Sequence, residues 1–229
     1  MKLLVLDTST EWCSVALWLD GQILARRVLA GQRHSSLLLP MVDELLHESD
    51  IGLRQLDGIG YGAGPGSFTG LRIACAVTQG LAFGADLPVV GVSTLQSIAE
   101  QTGAGQVLTV LDARMAEVYW AAYQRDANGW RAVSDPQLAL PESVVVPEEG
   151  EWIGAGNGFA VLGEVLQPRL AAQLGRIDDT LMPDAAAMAP LAARAFERGE
   201  GVDAALAAPI YLRDKVALTI DERRARQTA

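Results

Sequence analysis

Histidine and cysteine are scarce in this chain, with two of each among 229 residues. Cys13 and Cys75 both sit in apolar segments, far from each other and from any histidine. That context points to buried thiols rather than a disulfide, a metal site or a nucleophile. His34 and His47 are 13 residues apart; on one helix they would lie near opposite sides and about 20 Å apart along the axis. They cannot share a metal, and each reads as a surface or helix-end residue. No apolar run approaches the roughly 18 residues of a membrane span. The opening residues 1–7 are too short an apolar run for a signal peptide and end in a charge. The expectation is a soluble, cytoplasmic protein with no membrane contact. Clustered basic residues are also missing: the formal net charge is −10, and the nearest approach to a cluster is Arg223, Arg224 and Arg226. Such a chain does not grip nucleic acid unaided. Any RNA must meet a basic surface that a partner supplies.

What the chain has is apolar content, half of its residues, enough for one large domain or two lobes with separate cores. Its most distinctive stretch is 60–74, Gly-Tyr-Gly-Ala-Gly-Pro-Gly-Ser-Phe-Thr-Gly-Leu-Arg-Ile-Ala. A short strand hands over here to a helix through a loop shaped by Gly62, Gly64, Gly66, Gly70 and Pro65, with Ser67 or Thr69 as helix cap. Such a loop either holds an anion on its amides or lets another backbone come close. A P-loop needs a Gly-Lys-Ser/Thr ending, which is missing; the dinucleotide spacing Gly-x-Gly-x-x-Gly is missed by one residue, although Asp86 lies near the place of the expected acid.

Periodicity gives the order of elements. Residues 3–6 form a buried strand ending at Asp7-Thr8-Ser9, 13–19 and 22–29 a hairpin around Asp20-Gly21, and 34–48 a helix capped by Ser35 or Ser36. Pro40 is tolerable only near the first turn of that helix. Residues 71–83 form a helix apolar nearly all round, 88–92 a strand and 94–101 a short helix. The plan then repeats: a strand at 107–111 ending in Asp112, strands at 118–123 and 130–133 around Asn128-Gly129, a second Gly-Ala-Gly loop at 154–156 and a helix behind it at 161–166. The repetition reads as an internal duplication, with lobes at 1–104 and 105–229, the last segment free to pack back on the first lobe. A helix at 185–198 has Asp184 as cap and Gly199 as stop.

Two lobes that each open with an acid-ended strand and a hairpin are the plan of an actin-like/Hsp70-like (ASKHA, RNase H-like) α/β fold with duplicated βββαβα lobes. In that fold nucleotide sits between the lobes, so Asp7, Thr8, Ser9, Gly64, Gly66, Ser67 and Thr69 are the candidates for a vestigial nucleotide site. The other reading of Asp7 is a strand-end acid that caps local amides.

Asp7-Thr-Ser, Gly64-Pro-Gly-Ser-Phe-Thr-Gly-Leu-Arg72, Asp112-Ala-Arg-Met-Ala-Glu-Val-Tyr119 and Pro209-x-Tyr-Leu-Arg-Asp214 together resemble the bacterial TsaB (YeaZ) family along the whole chain. The resemblance implies a part in placing threonylcarbamoyl on the adenosine 3′ of the anticodon in tRNAs that read codons beginning with A, in company with TsaD and TsaE. It also implies contact with TsaD, or with a second copy when TsaD is absent, through the first two long helices at His34, Leu38, Met41, Leu45, Leu71, Ala74, Cys75 and Thr78. TsaD-type proteins carry a His-x-x-x-His metal pair; the matching stretch here, 91–98, has no histidine. Ser67 has no base nearby to make it a nucleophile. The expectation is therefore a non-catalytic subunit that needs no cofactor of its own and leaves room for ATP or ADP in the complex. The alternative is an ATP-dependent kinase or ATPase in which Asp7 and Asp112 face each other across the cleft and hold Mg²⁺. Against it, Asp112 is followed by Ala113-Arg114, where Arg114 is set to pair with Glu117 or Asp112, and the second half has no Gly-Gly adenosine loop.

Overall fold

The computed structural model describes residues 1–147 and 149–213; Asp214, Arg223, Arg224 and Arg226 lie outside the described residues. The first half runs β1 (Lys2–Asp7), β2 (Trp12–Leu19), β3 (Gln22–Leu29), α1 (His34–Glu48), β4 (Gly58–Gly64), α2 (Phe68–Ala85), β5 (Val89–Ser93) and α3 (Thr94–Gln101). The second runs β6 (Gln106–Asp112), β7 (Val118–Asp126), β8 (Gly129–Ala139), β9 (Trp152–Ala155), α4 (Gly158–Val161), α5 (Gly163–Leu170), β10 (Leu174–Asp178) and α6 (Ala185–Glu197).

Each half builds one five-stranded sheet, in the orders β3-β2-β1-β4-β5 and β8-β7-β6-β9-β10. The two orders are the same topology written twice, hairpin strands antiparallel and the strands beyond parallel. The duplication is thus present in the sheets. The second half departs from the first in having a short 3-10 turn, Pro141–Ser143, where α1 would stand.

Alternation along the central strands decides which layer each side chain joins. Leu4 and Leu6 of β1 pack with Leu38, Leu45 and Cys75 under α1 and α2, whereas Leu3 and Val5 pack with Met188, Ala189 and Ala192 of α6. In the second sheet Leu108 and Val110 meet Phe159 and Leu166 on one side, and Val107 and Leu111 meet Leu95 and Ile98 of α3 on the other. The last helix of each half therefore crosses to cover the sheet of the other half. The halves are interlocked rather than merely adjacent, and the sequence boundary at 104–105 does not separate two cores.

Between the crossed helices lies a polar pin. Glu100 on α3 takes an ion pair from Arg125 of β7, a hydrogen bond from the Trp130 indole at 2.5 Å, and faces Arg194 of α6 at 3.7 Å.

Local expectations hold at several ends. Asp184 caps α6 by accepting from Ala186 at 2.7 Å, and Gly199 stops it at φ 73°. At α1 the expectation fails: Arg33 is the cap residue and no side chain caps the helix, while the Ser36 hydroxyl donates to Arg33 O at 2.9 Å. Pro40 sits inside α1 rather than in its first turn. The predicted helix at 161–166 falls across α4 and α5, which break at Leu162; the strand β10 is absent from the sequence reading, and β8 is longer than the predicted 130–133.

Candidate functional site

Two features are built by these elements: a cleft between the halves and a bare helix face. The cleft begins where β1 ends. Asp7 is fully buried, and the Ser9 amide (3.3 Å) and hydroxyl (3.1 Å) donate to its carboxyl group. Burial pushes its pKa up to about 7; the Ser9 bonds and the nearby Arg27 charge oppose the shift, and Asp184 adds to it. Thr8 Oγ1 donates to Gly70 O at 2.7 Å, and the Ser67 amide donates to Ser9 O at 2.7 Å. A Cβ on Gly66 would stand 2.6 Å from Ser9 O, and one on Gly70 would overlap the Thr8 carbonyl oxygen. The glycine loop is thus bare because the strand-end backbone lies against it, the second of the two uses its composition allowed. Ser67 caps α2, accepting from the Gly70 amide at 3.3 Å.

The second half repeats the device. A Cβ on Gly156 would overlap the Val110 carbonyl, and the Asp112 amide donates to Asn157 Oδ1 at 2.9 Å. Between the two ends lies a cavity of about 710 Å³, walled by Ser9, Thr10, Gly66, Ser67 and Thr69 from the first half and by Asp112, Arg114, Tyr119 and Asn157 from the second. Asp7, Thr8 and Gly64 do not line it. Gly64 instead gives way to the backbone of Ile210, whose carbonyl oxygen would be 2.7 Å from a Cβ there.

The residues present do not fit a Mg²⁺-nucleotide. The carboxyl that would face the metal is buried under Gly62 and held toward its neutral form, and the Ser67 and Gly70 amides of the loop are spent on Ser9 O and Ser67 Oγ. The two arginines lining the cavity are already engaged, Arg114 with Asp112 at 3.2 Å and Arg213 with Glu117 at 2.6 Å. Asp112 lines the cavity and Asp7 does not, and no group of three or more His, Cys, Asp or Glu able to hold a metal occurs among the described residues.

The second feature is the outer side of α2. From Ile73 to Ala85 this helix has no charged residue. Ala76, Gly80, Phe83 and Gly84 are exposed along it, Phe83 at 86%, with Ile73, Val77 and Leu81 half-buried beside them. Leu39 of α1, 48% exposed, lines a groove of about 690 Å³ between the end of α1, the 51–55 turn and Leu81. A helix face in water normally carries charge, and a continuous apolar one marks a surface that another molecule covers.

Comparison with known proteins decides the family. The chain is 42% identical over 228 residues to the tRNA threonylcarbamoyladenosine biosynthesis protein TsaB of Escherichia coli K12, covering 95% of this chain and 96% of that one. The chain belongs to the TsaB family. A Haemophilus influenzae protein of the same name is 36% identical, over 94% and 95% of the two chains. Residues 27–220 also match the family profile described as TsaD, tRNA N6-adenosine threonylcarbamoyltransferase. Among solved structures, the YeaZ protein of Pseudomonas aeruginosa superimposes with a TM-score of 0.84 at 41% identity, over 92% of this chain and 99% of that one. A second Pseudomonas aeruginosa structure, of an uncharacterized protein with similarity to peptidase YEAZ, gives 0.86 at 42%, over 93% and 99%. The actin-like two-lobed α/β fold is that of this family.

Against the family's expected contact residues the structure makes a correction. His34, Leu38, Met41, Leu45, Leu71, Ala74, Cys75 and Thr78 are all buried within this chain. They are the inward stripes of α1 and α2, which pack on β1, β2 and β4. His34 is held at the helix start with Nε2 3.3 Å from Trp12 O. The apolar excess of these helices is real, yet the members that reach solvent are the complementary ones: Leu39, Ala76, Gly80 and Phe83. The uncharged stretch 73–85 was the available signal for them. What it lacked was the phase of the helix relative to the sheet.

Proposed function

We propose that this protein is the non-catalytic supporting subunit in the biosynthesis of threonylcarbamoyladenosine in tRNA, acting by holding a TsaD-type catalytic protein through the outer face of α2. The single observation that carries this reading is the exposed, charge-free surface from Ile73 to Ala85, beside the groove lined by Leu39 and Leu81. The names of its close relatives place the process, and the match to the TsaD profile supports pairing between two related folds, where similar helices meet across a pseudo-twofold. The self-packed strand ends at Asp7 and Gly66 support a role without a nucleotide of its own; ATP or ADP used by the complex is then held outside this cleft. With a net charge of −10 the chain leaves tRNA contact to its partner. TsaE joins the pair, and two copies of this chain pair on the same face when TsaD is absent.

The deciding experiment is threonylcarbamoyl transfer to tRNA by purified TsaD and TsaE, with and without this chain. Activity is expected to require the chain and to fall at least about tenfold with Phe83→Glu or Gly80→Glu, because a charge is then desolvated in the contact. Asp7→Asn is expected to leave it intact. Transfer indifferent to the chain, or Asp7-dependent ATP hydrolysis by the chain alone, replaces the supporting role with the kinase-like alternative.

A further inference from the structure

After α6 and the turn Ala204–Leu206 the chain runs back along the first lobe and over the cleft. Its attachments there follow one another closely. Ala207 O accepts from Cys75 Sγ (3.4 Å) and Gln79 Nε2 (3.1 Å). The Tyr61 hydroxyl donates to Ala208 O (3.2 Å) and accepts from the Ala208 amide (3.0 Å). The Ile210 amide donates to Ala63 O at 2.7 Å. Tyr211 accepts from Arg72 Nε at 2.9 Å, and the Arg72 guanidinium lies 3.6 Å over the Phe68 ring.

The far end is held differently. Leu212 packs at the edge of the second-lobe cluster, and among the described residues of this segment Arg213 is the one that reaches the polar groups of that lobe, donating to Ala113 O at 3.0 Å and pairing with Glu117 at 2.6 Å. Both contacts fall on the turn 113–117, where Arg114, Met115 and Ala116 all have positive φ (63°, 58° and 58°). Three successive non-glycine residues in the left-handed region cost conformational energy, and such a turn persists only where its surroundings hold it.

We propose that residues 207–213 are a releasable strap over the cleft, with Arg213 as its catch on the second lobe. Engaged, the strap walls the cavity with Ile210, Leu212 and Arg213 and ties Arg72, at the start of the second turn of α2, to Tyr211. Released, it opens the cavity and frees Arg72 at the end of the helix whose outer face is bare. The cleft and the α2 surface are thereby linked through one ion pair. The inference rests on the contacts of this chain alone and stands whichever partner covers α2.

Hydrogen–deuterium exchange of the intact chain tests it at the amides of Ala208 and Ile210. Arg213→Ala and, more conservatively, Glu117→Gln are expected to speed exchange there by about tenfold, the scale of a charge-assisted hydrogen bond, while β1 and α6 keep their protection. The exchanged pair Glu117→Arg with Arg213→Glu is expected to recover most of the protection. Unchanged exchange at Ala208 and Ile210 in both single variants would show that no catch operates. Equal acceleration in β1 and α6 would assign Arg213 to global stability and overturn the strap. Neither result bears on the transfer assay, so the two proposals fail separately.

Discussion

Asp7 shows how a residue type that suggests chemistry becomes structural once its surroundings are known. A carboxyl group that titrates at 3.8 in ordinary surroundings and at about 7 when folded binds more protons in the folded state between those values. Stability therefore falls as pH rises through that window and is constant above it. Asp7→Asn keeps an acceptor for the Ser9 donors and cannot ionise. In urea unfolding between about pH 5.5 and about pH 8 the wild type is expected to lose a few kcal/mol that the variant keeps. A wild-type curve as flat as the variant's would mean that Asp7 is charged in the fold, and would return it to candidacy as a metal-facing acid.

At the scale of the element, α2 is a helix with two different apolar faces. Its glycines separate them. A side chain on Gly70 meets the Thr8 carbonyl, whereas around Gly80 there is open space. Gly70→Ala is expected to cost about 3 kcal/mol by forcing two backbones apart. Gly80→Ala is expected to add about 0.5–1 kcal/mol through helix propensity; both are read from thermal or denaturant midpoints. The same division governs how the partner surface is probed: Ala74→Glu buries a charge in the core and unfolds the protein, so its loss of activity would say nothing about docking. The apolar excess of this helix was legible from composition. Which stripe faced inward was not, because a helix apolar on nearly every side has no polar face to fix its phase.

For the whole molecule, the crossing of α3 and α6 makes one cooperative body from two repeats. Residues 1–104 expressed alone would expose Leu3, Val5, Val90 and Val92, which α6 covers in the intact chain. The fragment is expected to be unfolded or aggregated by circular dichroism and gel filtration, despite containing a complete βββαβα unit. Glu100→Ala should destabilise the intact protein by about 1–2 kcal/mol, since it removes the mostly buried acceptor shared by Arg125, Arg194 and the Trp130 indole between the halves. A single melting transition is expected for the wild type. A fragment that folds, or two resolved transitions, would show that the lobes are independent after all.

The sequence by itself determined the repeated strand-hairpin-loop plan, the ends of β1 and β6 at Asp7 and Asp112, the glycine loop, the cap at Asp184, a cap for α2 at Ser67 or Thr69, and the family. Each of these is local: alternation, turn residues and short motifs act within a few positions along the chain. It did not determine β10, whose Leu-Gly-Arg-Ile-Asp carries no alternation and which pairs at an edge through a bulge. Nor did it determine that Asp7 is sealed, that the strap reaches Glu117, or that each last helix serves the other half's sheet. Those depend on which surfaces meet across tens to more than a hundred residues. Apolar periodicity says that a face must be covered; only tertiary packing says by what.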